Sequence, residues 1–325
     1  MPCSTDHTSK DLEACWVCAS TDTREWKPAS LERRLESDDL RITDDRYGVT
    51  LALRRCNGCG FIFADGEEMD QLTGLYADLD DPGYEDSQEP RRLQMQWLLE
   101  LAEEQCPEAR TMLDVGAASG LLVAEGDRRG LDACGIEPSA ALVAAAERTH
   151  GVKLVCGTLP HPALGSHKFD IVFLVDVLEH VSDPVALLEQ CAAMLNDDGV
   201  FVVVTPDVGS MAARMLRRRW WHYRLAHVGY FDAATLDHAA ARAGLTPVVK
   251  RRAKWFFTID YLASRAEQYL PIGGLNRAVR KSSVGRKLYE TVTPLDLRDS
   301  YVMIARRAPD ETDDRGSNED EHADG

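Results

Sequence analysis

Apolar runs at 111–115, 133–136, 153–156, 169–175 and 200–205 alternate with stretches of helical periodicity near 121–129, 140–149 and 184–195. Short buried strands separated by helices are the pattern of a parallel sheet, because parallel neighbours need a long crossover between them. A further helix over 233–243 and a strand near 247–250 continue it. Pro184, after Ser182 and Asp183, suits a helix start, with a capping side chain and proline in the first turn. The expected fold is α/β: a doubly wound, Rossmann-like, mostly parallel sheet. Ligands in such sheets bind beyond the carboxyl ends of the strands.

The first strand is followed by Asp114-Val-Gly116-Ala-Ala-Ser-Gly120, which opens a helix, and the second by Glu137-Pro138. Glycines let a backbone come close to a ligand, and a carboxylate at the second strand's tip can accept both hydroxyls of a ribose. A nicotinamide enzyme would carry G-x-G-x-x-G here to seat a pyrophosphate. The spacing in this chain is G-x-x-x-G, which points to a nucleoside without one.

Leu113-Asp-Val-Gly-Ala-Ala-Ser-Gly120, Gly135-Ile-Glu-Pro138 and Phe169-Asp-Ile-Val-Phe-Leu-Val-Asp-Val-Leu-Glu-His-Val181 resemble the ordered motifs of class I S-adenosylmethionine-dependent methyltransferases. The run Leu178-Glu-His-Val-Ser-Asp-Pro184 is similar to the ubiquinone-pathway O-methyltransferase branch, and Asp299-Ser-Tyr-Val-Met-Ile-Ala-Arg306 resembles the family's final, antiparallel strand. Ala118 departs from the middle glycine that many members carry. The resemblance implies S-adenosylmethionine as cofactor. Gly116 and Gly120 would let the loop pass under its methionine part, with Ala117 beside them. Asp114 would help fix the ammonium group and Glu137 the ribose, next to Pro138. Thr158 and Leu159 would lie near the adenine, and Val175 would complete the wall.

Methyl transfer is an in-line displacement in which the enzyme holds the acceptor near the methyl carbon, and a hydroxyl acceptor profits from a nearby base. His180, where the fourth strand ends, is the candidate base, with Glu179 to orient or charge-stabilise it. Sugar C-methyltransferases, which also carry paired Cys-x-x-Cys ahead of the domain, have a Glu-His at this place, so the chain resembles them in two respects. Asp176, Glu179 and His180 also form D-x-x-E-H, similar to the E-x-x-E-H metal ligands of ubiquinone-pathway and small-RNA methyltransferases. His227 resembles a further ligand in the latter, so a second divalent metal is a candidate there.

Four of the nine cysteines form Cys15-Trp-Val-Cys18 and Cys56-Asn-Gly-Cys59, separated by 37 residues. Two such turns complete a closed tetrahedral site, so structural Zn²⁺ is expected in a small zinc-ribbon-like N-terminal module, with Gly58 and Gly60 suiting the second knuckle. The expected organisation is a zinc module at 1–65, a linker or lid with a lead-in helix at 66–110, the methyltransferase domain at 111–308 and an acidic, disordered tail at 309–325. A helical insertion near 255–293 would sit within that domain. The linker carries Tyr76 and Tyr84, and Tyr84 is expected against the acceptor.

Net charge is −17, yet residues 214–306 hold 18 basic and 7 acidic side chains. The acidic total excludes generic binding along DNA, while the local excess permits one anionic group to be gripped. Residues 214–224 place five arginines among three aromatics, which suits a phosphate-bearing acceptor, a peripheral contact with anionic lipid, or simply a solvated helix with aromatics partly buried. Arg219, His222, His227 and Tyr230 are candidate acceptor contacts. No apolar run approaches the roughly 20 residues of a transmembrane helix, and residues 1–10 are polar with no secretory signal, so a cytoplasmic enzyme is expected. The function read from the residues and the resemblance is methylation of a small polar acceptor, with a (nucleotide-)sugar, glycan or secondary-metabolite precursor leading. Metal-assisted RNA 2′-O-methylation and a zinc-dependent, cofactor-binding scaffold without turnover are the alternatives.

Overall fold

The computed structural model describes residues 14–31, 33–41, 47–65, 72–79, 88–267 and 270–309. Tyr84 and the tail from 310 onward lie outside them. The first strands, β1 (Thr23–Lys27), β2 (Ala52–Cys56) and β3 (Ile62–Asp65), pair antiparallel in sequence order. Helices α1 (Leu72–Ala77) and α2 (Gln88–Gln105) follow. Then comes the alternation: β4 (Thr111–Val115), α3 (Leu121–Arg128), β5 (Asp132–Glu137), α4 (Ala140–His150), β6 (Val155–Cys156), β7 (Phe169–Val175), α5 (Pro184–Ala193) and β8 (Leu195–Pro206). Beyond it lie α6 (Met211–Leu216), β9 (Gly229–Tyr230), α7 (Ala233–Arg242) and β10 (Leu245–Arg252). A pair of strands, β11 (Trp255–Thr258) and β12 (Val292–Leu295), encloses α8 (Ile259–Glu267), α9 (Gly273–Lys281) and α10 (Ser283–Glu290). The last strand is β13 (Ser300–Arg307).

The large sheet has the order β10-β13-β8-β7-β4-β5-β6. From β6 to β8 all neighbours are parallel, and β13 runs antiparallel to both β8 and β10, as the resemblance implies for the closing strand. The chain winds outward from β4 through β5 to β6, then returns to β7 on the other side of β4. That reversal opens a crevice at the carboxyl ends of β4 and β7.

Burial explains the apolar runs. Ile171 and Phe173 of β7 face Leu98, Leu99 and Leu122 of α2 and α3, while Val172 and Leu174 face the side covered by α5 and α7. Side chains on both faces leave water, which stabilises each strand by about 1.5–3 kcal/mol per large apolar residue. The helix start at Pro184 is capped as read, Asp183 accepting from the Ala186 N–H at 3.2 Å, and Ser139 caps α4 in the same way, accepting from the Leu142 N–H at 3.2 Å. Each cap is worth about 1 kcal/mol. β6 is shorter than the 153–156 read from the sequence, being an edge strand paired only with β5.

The arginine-rich segment is not one solvated helix. α6 stops at Leu216, Arg217–Arg219 make a single 3-10 turn, and Trp220 drops into the core. Trp220, Tyr223 and Tyr230 pack there with Leu40, Leu53 and Ile62 of the N-terminal region. β9 adds a fourth strand to the N-terminal sheet by pairing with β3. Among the described residues, no helix is long and apolar enough to cross a membrane.

Candidate active site

A cavity of about 890 Å³ lies above the carboxyl ends of β4, β5 and β7. Its floor is the loop after β4. Gly116 takes φ +77°, and a Cβ there would overlap the Val177 side chain, so glycine is what lets the loop lie flat under the cavity. Ala118, where relatives favour glycine, has φ +47°. The departure seen in the sequence therefore falls on a left-handed position, which costs alanine about 1–2 kcal/mol. Gly120, also at positive φ, does not line the cavity; it packs against Val152 and Ala146.

Glu137 ends β5, and its carboxylate accepts the N–H of Ala118 and of Ser139, both at 2.9 Å. Burial raises its pKa, and these two donors pull it partly back. Asp114 sits one strand over, 4% exposed. Burial, with the charge of Glu137 nearby, pushes its carboxyl up to about 7. Ala117, Pro138, Thr158, Leu159 and Val175 line the same cavity, so the residues that the motifs single out converge on it apart from Gly120.

β7, α1 and the segment before β13 supply further walls. Asp176 takes φ +52° and is exposed into the cavity. The protein around the cavity strips water from it and, against the pull of Arg91 and with the push of Asp299, raises its carboxyl to about 7. His180 follows on a short 3-10 turn. Its Nδ1 lies 2.7 Å from the Ala226 carbonyl oxygen and in contact with the Tyr76 hydroxyl, which itself donates to Ala226 at 3.0 Å. A carbonyl can only accept, so Nδ1 carries the proton and Nε2 keeps its lone pair. Burial lowers the imidazole pKa to about 4, so it is neutral at neutral pH. Glu179 does not orient it as expected: its carboxyl turns to Thr205, whose hydroxyl donates at 2.9 Å, and burial next to Asp176 raises its pKa well above the ordinary value.

The acceptor contacts read from the sequence fare unequally. His222 lines the cavity, and its Nε2 lies 3.3 Å from Asp299 Oδ2. His227 is buried behind His180, with ring centroids 4.8 Å apart, and does not line the cavity. Tyr230 is 2% exposed and donates to the His227 carbonyl at 2.9 Å, so it is part of the core. Arg219 stays on the outer 3-10 turn.

Two cavity residues escaped the sequence reading. Asp299 is 2% exposed; its Oδ2 accepts from Trp221 Nε1 at 2.8 Å, and its Oδ1 has no hydrogen-bond partner among the described residues. Tyr76 was placed in the linker but given no role. Asp299 opens the run that resembles the family's final strand, but only the fold sets it beside Trp221 and His222, and only the fold brings Tyr76 to His180.

Two groups of side chains have metal-binding geometry. The sulfurs of Cys15, Cys18, Cys56 and Cys59 all lie within 4.8 Å of one another, two pairs at 3.5 Å. A tetrahedral Zn²⁺ with bonds of about 2.3 Å requires edges near 3.8 Å, so the tetrad fits. Gly60 takes φ +86° at the knuckle, as anticipated, whereas Gly58 does not need one. Burial raises Cys15 to about 11; Cys56, where burial is outweighed by the backbone N–H groups of Cys59 and Gly58 and by neighbouring thiols, is held at about 7. Glu179, His180 and His227 form the second group, also within 4.8 Å, and His227 Nδ1 is buried without a hydrogen-bond partner among the described residues. Asp176 is not in that group.

Comparison with known proteins agrees with this geometry. Residues 86–250, just over half of the chain, match the methyltransferase domain family model. A ubiquinone biosynthesis O-methyltransferase of Rhodopseudomonas palustris (strain TIE-1) is 35% identical over 128 residues, covering 38% of this chain and 47% of that protein. One from Bradyrhizobium sp. (strain ORS 278) is 36% identical over 129 residues, with the same coverage. The chain thus spans about half the length of the curated relatives it matches. Among solved structures, an S-adenosylmethionine-dependent methyltransferase from Archaeoglobus fulgidus is similar over 68% of this chain and 95% of that one, with a TM-score of 0.47 at 16% identity. Because that family model covers more than half of the chain, the chain belongs to the class I S-adenosylmethionine-dependent methyltransferases.

Proposed function

We propose that the protein transfers a methyl group from S-adenosylmethionine to a small polar acceptor, with a (nucleotide-)sugar, glycan or secondary-metabolite precursor as the leading class. The observation that carries this reading is one continuous cavity lined by Asp114, Glu137, Asp176, His180 and Asp299. The cradle suits the cofactor, since a side chain at Gly116 would close the floor. Bound there, S-adenosylmethionine supplies an electrophilic methyl. Glu137 would hold the ribose hydroxyls and Asp114 the ammonium group, while Asp176 and Asp299 would receive hydroxyl donors of the acceptor. His180 would take the acceptor's proton at Nε2, its other nitrogen fixed by Ala226 and Tyr76. The Cys15, Cys18, Cys56 and Cys59 tetrad would hold a structural Zn²⁺. Incubating the protein with labelled cofactor and fractionated metabolite extract tests the reading: label should pass to a small polar metabolite. Tight cofactor binding without any labelled product would support the scaffold alternative instead.

Glu137→Ala should weaken S-adenosylhomocysteine binding by ~1–3 kcal/mol through the lost hydrogen bonds. Calorimetry showing unchanged affinity would remove the ribose assignment. Affinity should also depend on pH. The Asp114 carboxyl, raised to about 7, is protonated below that pH, and an ammonium group favours the ionised form. Binding below pH 7 therefore displaces a proton, and affinity rises with pH, by up to about tenfold per unit, until it levels off near 7. In the unliganded protein the same raised pKa favours the fold at low pH, a contribution lost as pH climbs from about 4 to 7. Titrations in buffers of different ionisation enthalpy check the proton release.

The grouping of Glu179, His180 and His227 favours one second reading, in which a divalent ion held by these three lowers the pKa of an acceptor hydroxyl. Metal analysis of the wild type and of His227→Ala separates the two: a second divalent ion per chain that His227→Ala loses would favour this reading, and metal held by the cysteine tetrad alone would remove it. For RNA methylation, by contrast, Arg217–Arg219 lie off the cavity and lend no support.

A further inference from the structure

The insertion between β11 and β12 is built with its polarity reversed. Its interior holds Asn276, 3% exposed, whose amide donates to the Ala263 carbonyl at 3.2 Å and the Glu267 carboxylate at 2.6 Å. The Tyr289 hydroxyl donates to the Asn276 carbonyl oxygen at 2.7 Å. Gly285 allows α10 to press against the Val279 carbonyl, which a Cβ would overlap. Apolar side chains face solvent instead: Leu270, Leu275, Val284 and Leu288 are 55%, 65%, 78% and 52% exposed.

The same helices carry cations. Arg277, Lys281, Arg286 and Lys287 are exposed on α9 and α10, where Glu290 is the one acid. Arg280 is left out of this set, being engaged by Asp260 at 2.6 Å and Ser264 at 2.7 Å. In a chain of 54 acidic and 37 basic residues, such a cationic pair of helices runs against the general charge. Helices with exposed apolar side chains as well as exposed arginine and lysine suit the boundary of an anionic bilayer, where apolar side chains enter among the acyl chains and cations meet phosphates. A two-fold contact between copies would set this cationic face against itself. On the insertion's other side, α8 lends Tyr261, Leu262 and Ala266 to the cavity wall, so one element faces both outward and into the site.

We propose that the insertion docks the protein on an anionic lipid surface through α9 and α10. The proposal stands independently of the methyl-transfer reading. The full chain is sedimented with vesicles of phosphatidylglycerol and phosphatidylcholine, and with vesicles of phosphatidylcholine alone. It should pellet with the first and not the second, and less so as salt is raised. Leu275→Ser/Val284→Ser/Leu288→Ser and Arg277→Glu/Lys281→Glu/Arg286→Glu/Lys287→Glu, with thermal melts compared to wild type, should each lower partitioning about tenfold or more. Either set alone, if folded, suffices for the test. Absence of pelleting with the anionic vesicles, undiminished partitioning in the folded variants, or a dimer of the wild type that these substitutions dissolve would each overturn it, the last by assigning the face to a second copy.

Discussion

Cys56→Ser, or removal of metal by a chelator, should unfold the N-terminal sheet and lower methyl transfer with it. A structural zinc contributes about 10–16 kcal/mol of apparent binding energy, far more than so small a sheet supplies alone. Serine cannot replace the thiolate, and the Cys18 sulfur 3.5 Å away would lose its shared ion. The effect should reach the active site because the sheet is tied to it: the Ala64 N–H donates to the Val228 carbonyl at 2.7 Å, and the Val228 N–H to the Glu179 carbonyl at 2.8 Å. Two residues before Val228, the Ala226 carbonyl holds His180. Arg242 of α7 also donates to the Val17 carbonyl at 2.6 Å, anchoring the first knuckle to the large sheet's cover. Zinc content, thermal unfolding and turnover measured on the same samples check this. Metal-free protein of equal stability and equal turnover would refute both the zinc and its coupling to the site.

His180→Ala should lower kcat by ~10²–10⁴ while leaving S-adenosylhomocysteine affinity within about twofold, the range expected when a general base alone is lost. The split follows from the hydrogen bonds. His180 is held by Ala226 and Tyr76, whereas Glu137 holds the N–H groups of Ala118 and Ser139, and among the described residues no hydrogen bond directly links the two sets. Tyr76→Phe tests the positioning of the ring: it removes the hydroxyl at Nδ1 but keeps the packing, so kcat should fall less than for His180→Ala. Equal losses of kcat and cofactor affinity in His180→Ala would make this histidine a packing residue.

The central sheet was legible because its strands are covered on both faces, and complete burial leaves uninterrupted apolar runs such as 171–174. The glycine loop and Glu137 were legible because backbone approach and a strand-tip carboxylate need particular residues at fixed spacing. The arginine-rich segment was legible only in part, for the opposite reason. Its composition suggests a polar face, but Trp220 and Tyr223 find apolar partners on residues such as Leu40 and Leu53, far earlier in the chain. Asp299 was legible only as the start of the last strand, since its place at the site comes from Trp221 and His222 arriving beside it.

By itself the sequence determined the wound sheet, the glycine loop after β4 and the two Cys-x-x-Cys turns, because each rests on contacts within one short segment or on a repeated period. Only the tertiary structure decided what surrounds His180. Its partners, Tyr76, Ala226 and His227, come from segments 46 to 104 residues away, and no local pattern encodes a contact made by bringing three separate segments together.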